Sequence, residues 1–268
     1  MVPILHLGPY AFFSFGLAIG VGIVCSALAL QTYFRSHDLQ VNVTLFISVV
    51  VPFGFLCARF DSTVFESVPG RLGSGFASRF AHGGLTYFGG FVGATLACML
   101  LVHLYRLPWL RTFDALFCVG LAYAIGRIGC FLAGDGDYGI RSTLPWAVSF
   151  PHGIVPTLDR VHPTMLYCTV WELAVFAVLW KVSGAHCRTP LRPGILLGLY
   201  LIATSVGRFL IEFLSRNRTL ALGLTEAQLV SIALFLMGNT IIVLVSMKEA
   251  EQPRRAPGQT NLVSSVQR

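Results

Sequence analysis

Seven stretches of this chain are apolar for long enough to cross a bilayer, and that narrows the fold before any single residue is considered. They are Phe12–Phe34, Val43–Arg59, Gly83–Leu104, Phe113–Leu132, Thr164–Val182, Gly194–Leu214 and Gln228–Met247. Crossing the hydrocarbon core takes about 20 residues of helix, and each run is near that length. The expectation is an all-α polytopic membrane protein with about seven transmembrane helices. Composition agrees: 55% of residues are hydrophobic and only 12% charged, with a mean hydropathy of +0.72. A soluble domain carries about 25% charged residues.

Between the runs, Asp61–Phe80 is mixed, with Pro69-Gly70 and Gly73-Ser74-Gly75, and reads as a surface or re-entrant segment. Asp135–His162 is a polar loop rich in glycine and proline, long enough to form a small extramembrane element. Residues 1–247 therefore read as one transmembrane domain carrying a loop element at about 135–162, and 248–268 as a disordered cytoplasmic tail. The start of the chain lacks the basic region and cleavage site of a signal peptide, so the first run is expected to stay. An odd number of spans puts the termini on opposite sides. With the N-terminus outside, the inner segments hold Arg35, Arg106, Arg111, Lys181, Arg188, Arg192, Lys248, Arg254, Arg255 and Arg268, against Arg71, Arg79, Arg141, Arg160, Arg216 and Arg218 outside. Met1–Tyr10, free of Lys and Arg, then lies outside. The positive-inside rule favours that direction.

The net charge of +7 does not point to nucleic acid. No basic helix or RNA-binding aromatic motif is present, the positives are scattered over loops, and anionic lipid is the more natural partner. The seven cysteines are Cys25, Cys57, Cys98, Cys118, Cys130, Cys168 and Cys187. None makes a CxxC pair and most lie in apolar runs, so they read as small buried side chains, with no disulfide framework and no metal set.

Charges inside the apolar runs carry the functional signal. Arg127 stands within a hydrophobic helix, in Gly126-Arg127-Ile128-Gly129-Cys130-Phe131. A mid-membrane arginine costs roughly 2.5–3.5 kcal/mol, which about six leucines offset. Such a residue normally faces a protein interior or a wet cavity. Arg208 and Glu212 stand four apart in the sixth run and share a helix face. They form a self-neutralising ion pair, or Glu212 orients Arg208 toward an anionic substrate; the two readings are compatible. Glu172 lies in the fifth run, Arg59 ends the second, and Asp114 opens the fourth, where a carboxylate suits a helix N-terminus. Two arginines against few carboxylates leave positive charge in a dry place, and a phosphate suits a guanidinium fork.

Gly83-Gly84-Leu85-Thr86-Tyr87-Phe88-Gly89-Gly90 opens the third run, and Gly89 with Gly93 makes a close-packing pair. Tyr87 reads as an interfacial tyrosine or a headgroup donor, and His82 as an interface residue or a base. His162-Pro163-Thr164-Met165-Leu166-Tyr167 opens the fifth run, with Pro163 at an ordinary helix start.

These segments, in this order, resemble the bacterial prolipoprotein diacylglyceryl transferase family, from Gly8 to about Ser231. The segment from Gly126 to Phe131 is similar to the family signature Gly-Arg-(Ile/Leu)-Gly-Asn-Phe-(Ile/Leu)-Asn-Gly-Glu. Cys57-Ala58-Arg59, the glycine segment at 83–90, the 162–167 segment, Arg208-Phe209-Leu210-Ile211-Glu212-Phe213 and Gln228-Leu229-Val230-Ser231 add to it. The sequence also departs from the pattern. The family's Trp-Tyr-Gly is Ser14-Phe15-Gly16, and its Phe-His-Gly-Gly is Tyr87-Phe88-Gly89-Gly90, so Phe88 stands for the histidine. Cys130 and Ala133 stand for asparagines, and Met165 and Cys168 for Gln and Glu. Asp135 stands for the signature Glu, followed by a one-residue insertion around Gly136-Asp137.

The resemblance implies seven spans with the N-terminus outside, in the bacterial cytoplasmic membrane, and an active site open to lipid. The implied reaction moves diacylglyceryl from phosphatidylglycerol to the lipobox cysteine of a prolipoprotein, without metal, nucleotide or other cofactor. Arg127 and Arg208 are the candidates to hold the phosphate, with Glu212, Arg59, His162 and Tyr167 completing the binding set. Tyr87, His82, His162 or Asp135 would take the thiol proton. The anion-binding half of this site is the better preserved. Two other readings stand beside it: a homologue that binds phospholipid without this reaction or with another acceptor, and a membrane transporter.

Overall fold

The helix that carries Arg127 packs between the first membrane-spanning helix and the one that follows the 134–163 loop. In the computed structural model the described residues are 4–7, 10–65, 87–184, 191–221 and 223–250. After a two-stranded hairpin, β1 (Ile4–Leu7) and β2 (Tyr10–Phe13), come α1 (Ser14–Ser36), α2 (Val43–Phe65) and α3 (Tyr87–Leu104). A short α4 (Trp109–Phe113) and a 3-10 turn (Asp114–Leu116) lead into α5 (Phe117–Ala133). The hairpin of β3 (Val148–Phe150) and β4 (Thr157–Val161) follows, then α6 (Thr164–Val182) and α7 (Ile195–Glu212). The chain continues through β5 (Thr219–Ala221) and β6 (Leu224–Thr225) to α8 (Glu226–Ala250).

Among the described residues, six helical stretches are long and apolar enough to span a membrane: Ser14–Ser36, Val43–Val64, Trp109–Ala133, Thr164–Val182, Ile195–Glu212 and Glu226–Lys248. A seventh, Gly89–Leu104, is apolar but shorter. The molecule is thus an all-α polytopic membrane protein. Most of the stretch read as surface or re-entrant lies at 66–86, outside the described residues; its first residues, Asp61–Phe65, simply continue α2. The tail from 251 onward is likewise outside them.

Small residues set how close the helices come. α1 runs against α5, and a Cβ on Gly22 would lie 2.9 Å from the Ala122 carbonyl oxygen. Ser26 Oγ donates to the Cys118 carbonyl at 2.9 Å across the same seam. α2 and α3 meet where Gly93 faces Cys57 and Gly54 faces Gly90, so Gly90 and Gly93 serve packing. Gly198 and Gly238 bring α7 and α8 together in the same way. Small-residue contacts of this kind let dispersion act where lipid supplies no hydrophobic drive. Polar side chains tie the rest: Thr169 Oγ1 donates to the Ala124 carbonyl at 3.0 Å, joining α6 to α5. Trp171 Nε1 donates to the Ala203 carbonyl at 2.9 Å, joining α6 to α7.

Two apolar clusters mark the two ends of the bundle. Tyr33, Phe34, Phe117, Cys118, Leu179 and Leu196 pack at one. Cys130, Tyr138, Phe150, Val161 and Met165 pack at the other, where the 134–163 segment folds down on the helices. That loop is therefore more than polar chain: it contributes its own buried aromatic residues. Asp114 was expected to suit the start of its own helix. Its carboxylate instead accepts the backbone N–H groups of Gly194 and Leu197, capping α7 from across the bundle.

Candidate functional site

Arg127 stands in the last two turns of α5, and the chain beyond that helix is turned back over it. Gly134 ends α5 in the left-handed region, at φ 61°, and its N–H donates to the Cys130 carbonyl at 2.9 Å. Glycine is the default there because a Cβ would clash, here 2.7 Å from the Gly153 Cα. The carbonyls of Ala133 and Gly134, orphaned at the helix end, accept from Ile154 and Val155, each at 2.9 Å.

The reversal places Asp137 on Arg127. Arg127 Nη1 meets Asp137 Oδ2 at 2.5 Å. Arg127 is 13% exposed and Asp137 53%. The loop is fixed by its backbone. Thr164 Oγ1 donates to the Asp137 carbonyl at 2.5 Å, and the Asp137 N–H donates to Asp135 Oδ1 at 3.2 Å. Tyr138 stacks on Phe150 with centroids 5.0 Å apart. Gly139 then passes through a slot in which a Cβ would lie 2.2 Å from the Leu214 carbonyl oxygen. Its N–H donates to the His162 carbonyl at 2.8 Å, and the Ile140 N–H to the Leu214 carbonyl at 2.9 Å. The loop thereby joins the end of α5, the start of α6 and the end of α7.

Arg208 lies at that same end of the bundle, in the last turn of α7. Its Nη2 meets Glu212 Oε2 at 2.8 Å, and the Glu212 side chain is completely buried. Asn217 Nδ2 donates to the other Glu212 oxygen at 2.7 Å. The sequence spacing anticipated this pair. Tyr123, one turn before Arg127, has its ring centroid 5.6 Å from the Arg127 guanidinium carbon. Among the described residues the buried Arg127 Nε finds no acceptor.

The expectation of uncompensated positive charge is corrected by this geometry. Each guanidinium has its own carboxylate, Asp137 for Arg127 and Glu212 for Arg208. Asp137 escaped notice because its approach depends on the glycine turn rather than on helical spacing. Asp135, the residue matched to the family Glu, is not the partner of Arg127 but supports the Asp137 backbone. Cys130, Asp135 and Asp137 offer ligand atoms within 4.8 Å of one another, and the Arg127 guanidinium supplies the cation beside them.

His162 and Tyr167 do come together: His162 Nδ1 lies 3.1 Å from Tyr167 Oη, which also accepts from Trp146 Nε1 at 2.8 Å. Arg59 is half-buried in α2, where its carbonyl accepts from Thr63 Oγ1 at 2.7 Å. His82 and the Tyr87 side chain lie outside the described residues. Glu172 is buried in α6, with Thr204 donating to one of its oxygens. Tyr123, Asp137, Thr164 and Asn217 were missed by sequence reasoning. Asp137 left a signal there, as an extra acidic residue at the point where the signature pattern breaks, and Thr164 stood within the 162–167 segment.

Fold and site together define a multi-pass membrane protein with two ion-paired arginines set into one end of its helix bundle. The chain belongs to the prolipoprotein diacylglyceryl transferase family, whose pattern it matches over residues 3–244. Similar proteins carry the name phosphatidylglycerol--prolipoprotein diacylglyceryl transferase. That of Clostridium novyi is 30% identical over 256 residues, spanning 90% of this chain and 97% of its own. That of Bacillus cytotoxicus is 31% identical over 262 residues, spanning 94% of each. That of Synechococcus elongatus is 29% identical over 249 residues, spanning 88% of this chain and 84% of its own.

Proposed function

We propose that this chain transfers the diacylglyceryl group of phosphatidylglycerol to the lipobox cysteine of a prolipoprotein, releasing glycerol phosphate. The observation that carries this reading is the placement of Arg127 and Arg208 at the same end of the bundle, near the ends of α5 and α7, in a chain of this family. The cysteine sulfur attacks the glycerol carbon that bears the phosphate ester. The carbon–oxygen bond breaks, and its electron pair leaves with glycerol phosphate. Charge therefore builds on the bridging oxygen, and a preorganised guanidinium is the group that stabilises it in a dry site.

Arg127 and Arg208 hold the phosphate. Glu212, pinned by Asn217, keeps Arg208 in one orientation. Arg59, His162 and Tyr167 complete the binding set. A thiol with a free pKa near ~8.5 must lose its proton before it attacks. That proton leaves through the loop-covered end, where Asp135 and His162 offer acceptors; His82 and Tyr87 are the further candidates. The protein sits in the bacterial cytoplasmic membrane, with its N-terminus and the 134–163 loop on the outer side, where secreted precursors arrive.

The test is incubation of the purified protein with phosphatidylglycerol and a lipobox peptide, read by mass spectrometry. A peptide heavier by one diacylglyceryl group, formed together with glycerol phosphate, is the expected result. Unmodified peptide under conditions where a related transferase modifies it would overturn the reading.

A further inference from the structure

The two arginines hold their carboxylates in different ways. Glu212 is completely buried and gripped by both Arg208 and Asn217, so it has nowhere else to go. Asp137 is 53% exposed and rests on a guanidinium that is only 13% exposed. The Asp137 side chain is open on its far side, and its backbone is held separately through Thr164 and Asp135. Its carboxylate can therefore swing off Arg127 without unfolding the loop, whereas that of Glu212 cannot leave Arg208 without exposing a buried charge.

From this we infer that Asp137 is an internal counter-anion that competes with the substrate phosphate for Arg127. The inference rests on the transferase reading above. In the empty site Asp137 satisfies a guanidinium that would otherwise be buried and unpaired, which is costly in a low-dielectric setting. An arriving phosphodiester takes the Nη1 edge, and Asp137 turns to water. After transfer, the product carries a full phosphate monoester and would bind the arginines more tightly than the diester did. Asp137 returning to Nη1 displaces it. Asp137 is thus a specificity-determining residue: it lowers the affinity of the site for anions in general, and chiefly for its own product.

The experiment measures sn-glycerol 1-phosphate in two ways, by equilibrium binding to the purified protein and as an inhibitor of peptide lipidation. Asp137→Asn keeps the size and hydrogen-bonding shape but removes the charge. It is expected to bind glycerol phosphate and to be inhibited by it at roughly tenfold lower concentration, the worth of one charge-assisted hydrogen bond. Its KM for phosphatidylglycerol falls in the same direction. Asp137→Glu, which keeps the charge, stays close to the native protein in both readouts. Equal or weaker binding of glycerol phosphate by Asp137→Asn would overturn the inference, as would loss of kcat without a change in that binding. Binding is read without turnover, so the two claims separate. A native protein that lipidates no peptide sinks the transferase reading, while the contrast in binding still decides the role of Asp137.

Discussion

Asp114 and Gly194 are separated by 80 residues in sequence, yet the Asp114 carboxylate accepts the Gly194 N–H at 2.8 Å. Its second oxygen accepts the Leu197 N–H at 2.9 Å. A buried carboxylate from the lead-in to α5 thereby supplies the N-terminal cap of α7. The helix that presents Arg127 and the one that presents Arg208 are fixed to each other at the end opposite the site. Asp114→Ala removes two charge-assisted bonds and leaves two buried N–H groups unpaired, at about 2–3 kcal/mol. Thermal unfolding in detergent should fall by roughly 5–10 °C, with Asp114→Asn losing less.

Arg127→Ala and Arg208→Ala should each reduce lipidation of a lipobox peptide by roughly 100- to 1,000-fold, the usual loss when one preorganised charge donor is removed. Both variants should still insert in the membrane, since each change removes a cost of insertion. Arg127→Lys restores the charge but not the fork, and should recover only a small part of the activity. Product mass, measured against the amount of membrane-inserted protein, checks all three.

Glu212 and Asn217 should be graded in their effects. Glu212→Ala strips Arg208 of its fixed partner, in a pair where Arg208 is 29% exposed. Solvent discounts the penalty for that exposure, leaving about 2 kcal/mol. The catalytic loss should appear mainly in kcat, because a loose guanidinium still attracts the phosphate but no longer meets it in register. Asn217→Ala removes one hydrogen bond to Glu212 and should lower kcat by roughly tenfold or less. Steady-state kinetics on the two variants distinguishes the grades.

Gly139→Ala should be among the most damaging single-atom additions in the loop. Its Cβ would stand 2.2 Å from the Leu214 carbonyl oxygen and 2.9 Å from a Thr164 methyl group. Backbone cannot yield as a side-chain tip can, so the 134–163 segment must lift. Limited proteolysis of that segment should speed up, and transfer should fall although no charged group was touched.

Much of this was legible from the chain itself. The spans could be read because hydrophobic length is a one-dimensional property, and the Arg208–Glu212 pair because helical periodicity fixes it locally. What could not be read depends on where the chain turns. Arg127 and Asp137 lie ten residues apart with a helix end between them, and the left-handed Gly134 and Gly136 turn the chain that joins them. Asp114 offers the same lesson at longer range, since a carboxylate before one helix gives no sign that it caps another. From its length the 135–162 loop could be read as a small extramembrane element, but which of its residues would be buried could not be read. Two of its aromatic residues, Tyr138 and Phe150, seat it on the bundle.

The position of the arginines along their helices has one more consequence. Arg127 precedes the end of α5 at Ala133 by about 9 Å of helix, and Arg208 precedes the end of α7 at Glu212 by about 6 Å. A headgroup met at that depth is met where it already floats. Lifting a lipid with two long tails into water costs about 0.8 kcal/mol for every methylene, well over 20 kcal/mol in all. On the transferase reading, a site this close to the helix ends never incurs that cost: the donor drifts in sideways, reacts, and leaves its tails in the leaflet throughout.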